Sequence, residues 1–166
     1  MPDSTDWKDA AQDAASMAAP FEGFSASPYL DMVAVPHVWT IGFGSLWWFD
    51  GSAVTGETRQ ITRDEGVQLL QRELTQLVTQ IATDVGETLT EHQATALLDF
   101  AFNVGIGNFE HSTLLRCLRG GDFVAAANEF DKWDHAGGKE ILGLLKRRSA
   151  EAVTFLTPDQ ASTTST

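Results

Sequence analysis

Between Ala96 and Val104 the chain reads Ala-Leu-Leu-Asp-Phe-Ala-Phe-Asn-Val, so a helix over these residues is apolar in almost every direction. Such a helix cannot lie on a surface and must form the buried centre of a helical bundle. Thr90-Glu91-His92-Gln93 places a capping box in front of it. A second box, Thr62 with Glu65, opens a longer helix in which Val67, Leu70, Leu74, Leu77, Ile81 and Val85 recur every three or four residues, up to about Gly86. Upstream, Trp7, Ala10, Ala11, Ala14, Met17 and Ala18 fall at helical spacing behind caps at Ser4 or Thr5. Pro20 ends that helix just before Phe21-Glu22-Gly23-Phe24. Three more helical stretches follow the central one: Ser112 to Leu118, Asp122 to Trp133, and about Lys139 to Leu156. Gly120-Gly121 and Gly137-Gly138 separate them.

Residues 28–61 differ in kind. Turn-forming Gly and Pro alternate there with Val33, Val35, Val38, Trp39, Thr40, Ile41 and Phe43, which predicts two or three short strands joined by turns. Strands followed by a run of helices indicate an α+β fold rather than alternating α/β. The expected architecture is a small antiparallel β lobe, about 28–61, joined by the long helix to a helical lobe, about 87–156. A cleft between unequal lobes is a natural ligand site. The chain has 166 residues, enough for one domain, here expected over 1–157, with 158–166 as a flexible polar tail.

Composition removes several classes of function. The chain has a single cysteine, Cys117, which leaves neither a disulfide framework nor a multi-cysteine zinc site. His37, His92, His111 and His135 lack metal-ligand spacing, so no metal and no cofactor is expected. Lys and Arg number 11 against 23 Asp and Glu, a formal net charge of −12, which argues against a nucleic-acid partner. That acidity marks either a saline habitat or a basic cleft on an acidic body. No run is long and apolar enough for an integral membrane segment, and the N-terminus lacks a signal-peptide pattern.

Two carboxylates stand out. Glu22 lies between Phe21 and Phe24, an apolar setting in which desolvation would raise the pKa and suit a general acid. Asp31, in Pro28-Tyr29-Leu30-Asp31, sits in a polar turn where it would stay ionised. An acid and a base with separated pKa values are the pairing that glycoside hydrolysis uses.

Six pieces of the chain occur in the order seen in phage-type lysozymes, the endolysins of glycoside hydrolase family 24. They are Phe21-Glu22-Gly23-Phe24, Tyr29-Leu30-Asp31, Trp39-Thr40-Ile41-Gly42-Phe43-Gly44, the run from Ala96 to Gly105, Ser112-Thr113-Leu114-Leu115-Arg116, and the stretch from Gly137 to Arg148. The resemblance covers about residues 6–156. It implies a lysozyme-like fold and a muramidase acting on peptidoglycan glycan strands, at the bond between N-acetylmuramic acid and N-acetylglucosamine. It also implies Glu22 as acid, Asp31 as base or electrostatic partner, and Thr40 as the residue that holds the attacking water. Family members are usually regarded as inverting, which would set the two carboxylates roughly 6.5–9.5 Å apart.

The chain departs from the family pattern after Asp31. The position six residues on, where the threonine commonly stands, is His37, and Thr40 comes nine residues on, so Val35-Pro36-His37-Val38 reads as a lengthened loop. Ser45 stands where many relatives carry histidine, and Ala34 replaces a frequent glycine. Asn103 is expected to bind an acetamido group, or else to end its helix on local backbone. Arg147 or Arg148 is placed to pair with Glu22, and Arg148 is taken as a substrate-binding residue. Trp47 and Trp48 either stack on sugar faces or pack the lobe. A monomer is expected and, with no export signal or signal-anchor read in the sequence, one that waits in the host cytoplasm until released to the cell wall; a lysin packaged in the virion is the alternative. Two other readings stay open: a lytic transglycosylase, and a non-catalytic wall-binding or virion structural module.

Overall fold

The first helix, α1 (Ser4–Ala18), buries an alanine face: Ala10, Ala11, Ala14, Ala15 and Ala18 have no exposed surface. The computed structural model describes residues 4–86 and 88–159, with the side chains of 4–6 left aside, so the caps expected at Ser4 and Thr5 lie outside the described residues. The chain then crosses to a hairpin of β1 (Ser25–Asp31) and β2 (Val38–Gly42), antiparallel, with Tyr29 opposite Thr40 and Asp31 opposite Val38. The long helix α2 (Arg63–Val85) follows, and then α3 (Glu91–Val104), the buried centre. Both capping boxes form as the sequence indicates. Gly86, at φ 71°, closes α2 in the left-handed conformation that a side chain would resist.

Around α3 are arranged α4 (Ile106–Glu110), α5 (Thr113–Arg119), α6 (Phe123–Glu129), a 3-10 turn (Phe130–Trp133), and α7 (Leu142–Leu156). Phe100 of α3 meets Phe109, Phe130 and Trp133 edge-on, with ring centroids 5.2–6.5 Å apart. Because α1 offers only methyl groups to α3, the two backbones approach closely. The helical lobe therefore includes the first helix as well as the last five. The β lobe is an excursion between them, with its own small core of Ile41, Val54, Ile61 and Leu69.

Several boundaries differ from the sequence expectation. β1 starts at Ser25 rather than 28; the β lobe has two strands, within the two or three expected, and beyond Gly42 its described residues add the bridges Ile41–Ser45 and Trp47–Ala53. The stretch from Asp122 to Trp133 divides into α6 and the tighter 3-10 turn. α7 starts at Leu142 rather than Lys139, because Gly137 and Gly138, both at positive φ, fold His135–Ala136 (β3) back on Lys139–Glu140 (β4). Asp159, in the stretch expected as a flexible tail, is bonded to α3. Asp159 accepts hydrogen bonds from the backbone N–H groups of Glu91 (2.8 Å) and His92 (3.1 Å), satisfying free donors at the start of α3; residues 160–166 lie outside the described residues. Among the described residues no helix is long and apolar enough to cross a membrane.

The β lobe is fastened to α2 at Gly66. A Cβ there would come within 2.8 Å of the Phe24 ring and 3.2 Å of the Phe43 ring. Gly→Ala inside a helix ordinarily adds about 1 kcal/mol of stability. Here the overpacking term opposes it and is larger, so Gly66→Ala should destabilise the protein by about 1–2 kcal/mol net, read as a lower urea midpoint with an unchanged slope.

Candidate active site

Glu22 is held where α1 gives way to β1. Its backbone N–H bonds to the carbonyl of Ala18 at 3.2 Å, so a hydrogen-bonded turn carries the chain from the end of α1 past Pro20. Its side chain is one-quarter exposed, and Oε1 lies 2.5 Å from Nη1 of Arg147. The apolar pocket expected from Phe21 and Phe24 does not form. Phe21 stays 37% exposed, against the Arg147 guanidinium 5.6 Å from its ring, while Phe24 turns into the β lobe against Phe43. A cation, not desolvation, dominates the surroundings of Glu22.

Arg147 is itself buried. Its Nε and Nη2 bind both oxygens of Asp99 on α3, at 3.0 and 2.7 Å, a fork-to-fork pair. Burial alone would lower the guanidinium pKa, but the pairs with Asp99 and then Glu22 outweigh it and hold it above its ordinary value. Arg148, one residue on, points elsewhere. Its Nη2 donates to Oδ1 of Asn103 (2.9 Å) and to Oε1 of Glu151 (2.7 Å), and its guanidinium lies 5.0 Å from the Phe100 ring. Arg148, expected to bind substrate, has no exposed surface and reaches the second recess described below only through its bond to Asn103. Burial lowers its pKa, against the attraction of Glu151. Burial also pushes the Glu151 carboxyl up, to about 10, and the neighbouring Asp99 carboxylate adds to the effect.

Across the site, Asp31 ends β1. Its Oδ1 accepts from the backbone N–H groups of Val33 (2.8 Å) and Ala34 (3.3 Å), the polar turn that the sequence indicates. Thr40 pairs with Tyr29, and Tyr29 and Asp31 are two apart on one strand, so Thr40 and Asp31 belong to the same face of the hairpin. Thr40 is buried, with Oγ1 3.4 Å from the Tyr29 carbonyl. His37 lies in the exposed turn, its Nδ1 tied to the Ala34 carbonyl at 3.0 Å.

Between the lobes runs a groove of about 340 Å³ lined by Gly44, Leu46 and Trp47 of the β lobe, Glu73, Gln76 and Leu77 of α2, and Phe102 of α3. Asn103, next to Phe102, lines a second recess of about 290 Å³ with Trp133, His135 and Leu144. The two tryptophans part company: Trp47 is 54% exposed in the groove, whereas Trp48 packs under Arg59 and accepts a hydrogen bond from Arg72 through its carbonyl. Burial raises the Glu73 carboxyl. Sequence reasoning missed Asp99, Glu151 and Glu73. A signal existed for Asp99, the one ionisable residue in the apolar run of α3, and for Glu151, at helical spacing from Arg147 and Arg148. Among the described residues no group of three or more His, Cys, Asp or Glu side chains could hold a metal ion.

The profile of the phage lysozyme family matches residues 19–151, a span that contains Glu22, Asp31, Thr40, Asn103 and the whole arginine cluster. The chain belongs to the phage lysozyme family. It is 38% identical to the endolysin of Bacillus phage B103 over 82% of its own length, though it spans only 50% of that relative. It is 36% identical to the SAR-endolysin of Enterobacteria phage PA-2, covering 78% of this chain and 74% of the other. A solved structure of a P22 lysozyme mutant is 31% identical and superposes with a TM-score of 0.75, covering 87% of this chain and 95% of that one. The fold is the α+β lysozyme fold.

The ion pairs make a stability prediction. Asp99→Ala strands the buried Arg147 with only Glu22, and should cost about 3–5 kcal/mol, measured by urea unfolding at neutral pH. Asp99→Asn, which keeps an acceptor, should cost less.

Proposed function

We propose that the chain is a muramidase that hydrolyses the β-1,4 bond between N-acetylmuramic acid and N-acetylglucosamine in peptidoglycan, in the service of phage-mediated host lysis. The observation that carries this reading is Glu22 at the junction of the lobes, partly open to solvent and gripped by a buried, pre-oriented arginine. Endolysin relatives matched over about four-fifths of the chain support it.

In this reading Glu22 gives its proton to the glycosidic oxygen as the bond breaks. Arg147 then neutralises the carboxylate that remains, and because Asp99 already fixes the guanidinium, no reorganisation is needed at that moment. Asp31 faces the developing positive charge on the sugar or takes a proton from water. Thr40, held on β2 beside it, positions that water; a strand holds a hydroxyl more firmly than the exposed turn holds His37. Asn103, its Oδ1 occupied by Arg148, offers its NH₂ to an acetamido carbonyl. The groove beside Trp47 and Phe102 takes the glycan strand, the exposed indole offering a sugar a flat apolar face.

Glu22→Gln should keep the fold and lower turnover by roughly 10²–10⁴-fold. Mass analysis of digested peptidoglycan should find reducing-end muropeptides; anhydro ends would instead mean transglycosylation, and an absence of fragments a binding module. Thr40→Ala should cost far more activity than His37→Ala, and the histidine variant should keep the shape of the pH profile. The reverse order would move the water site to His37.

A further inference from the structure

Glu151 takes no part in the mechanism above, yet it is wholly buried at the back of the active site, on α7. Its Oε1 accepts from Arg148, while its Oε2 has no hydrogen-bond donor as a partner. It stands beside the carboxylate of Asp99: the Nε of Arg147 lies 3.0 Å from Oδ2 of Asp99 and 3.8 Å from Oε1 of Glu151, and both oxygens of Asp99 already accept from Arg147. Two ionised carboxylates are acceptors only, and cannot bond to each other. One proton between them turns a repulsion into a hydrogen bond.

We propose that Glu151 is a positioning residue that works as a neutral carboxylic acid, donating its O–H to Asp99 so that Asp99 keeps Arg147 aimed at Glu22. The proposal rests on the reading of Glu22 as the catalytic acid. It explains why Arg147 bonds to Asp99 and Glu22 although Glu151 stands one helical turn away on its own helix, with Oε1 3.8 Å from the Arg147 Nε. An ionised Glu151 would compete for that guanidinium and draw it back along α7. A neutral one leaves it to the other two.

The charged groups facing Glu151 are Asp99 from α3, Arg147 and Arg148 from α7 itself and, beyond Arg147, Glu22 from the turn after α1. On α6 and the 3-10 turn, which also pack on α7, Lys132 pairs with Glu129 at 2.5 Å and Asp131 is exposed; Phe123 and Phe130 are what they set against Phe155 of α7. The raised carboxyl of Glu151 fits this arrangement, since burial and Asp99 both favour the protonated form.

The test uses the whole chain and its Glu151→Gln variant, unfolded by heat at intervals from pH 5 to pH 9. In the folded protein the carboxyl keeps a proton that the unfolded chain releases above about pH 4.3. Wild-type stability therefore falls as pH rises above that value, until the folded group titrates. Glutamine cannot ionise and donates an N–H to Asp99 from the same place. The unfolding midpoint of Glu151→Gln relative to wild type should therefore climb steadily with pH. A difference that stays constant, or that moves against the variant as pH rises, means an ionised partner of Arg148 and overturns the proposal.

Turnover supplies the second readout. Glu151→Leu should lower kcat by roughly tenfold or more and move the pH profile of glycan cleavage, with KM little changed, because Arg147 loses its aim. Glu151→Gln should restore both. A loss with an unshifted profile, or one that glutamine does not restore, overturns the positioning role. If the leucine variant does not fold, the unfolding comparison of Glu151→Gln decides alone. That comparison does not depend on the role of Glu22, whose failure would show separately as undiminished activity in Glu22→Gln.

Discussion

The pairing of Arg147 with Asp99 and Glu22 is the interaction on which the candidate active site depends. It joins three elements that are distant in sequence: α7, the central helix α3, and the turn between α1 and the β lobe. Taking a guanidinium and a carboxylate out of water costs several kcal/mol for each ion, and apolar residues of the same volume would hold a core at least as well. Stability alone does not account for such a cluster. Orientation does, because a planar fork bound on two sides leaves its third nitrogen only one direction in which to point.

A second constraint places the lobes. The hairpin is short and two-stranded, too small to be stable by itself, so it is held by its loop core and by the crossing of α2 at Gly66. The missing side chain at Gly66 lets Phe24 and Phe43 lie directly on the helix backbone. That contact brings Trp47 and Leu46 over α2 and α3, and the groove follows from it. The proposed catalytic groups then come from both sides: Glu22 with its arginine from the helical lobe, Asp31 and Thr40 from the hairpin.

The acidic excess also finds its place. Arg147 and Arg148 are buried and matched by carboxylates, and Arg59 is paired with Glu65 at 2.6 Å on the surface. These cations build internal structure and do not form a basic lining for the groove, where Glu73 is the only ionisable residue among the described ones. Of the two explanations that the composition leaves open, the basic cleft gains no support from these residues.

What the sequence determined by itself is local. Capping boxes at Thr62 and Thr90, the all-round apolar run after Ala96 and the stop at Pro20 depend on contacts within a few residues, and they mark where helices start and end. Glu22, Asp31 and Thr40 stand out in the sequence as candidates because each sits in a short motif whose order along the chain resembles that of a family. The tertiary structure decided what those motifs meet. Two arginines in succession on a helix lie about 100° apart, so only one can face Glu22, and the packing of α7 on α3 selects Arg147 and turns Arg148 inward. Asp99 looks like a flaw in an apolar helix until α7 brings it a guanidinium. Glu22 looks desolvated until its flanking phenylalanines turn away, one to the surface and one into the β lobe. Strand ends and glycine turns near residues 135–140 were misjudged because a hairpin that small is held by its surroundings rather than by its own residues. Sequence spacing records which side chains share a face; which charge faces which is settled only when distant faces are pressed together and the water between them is lost.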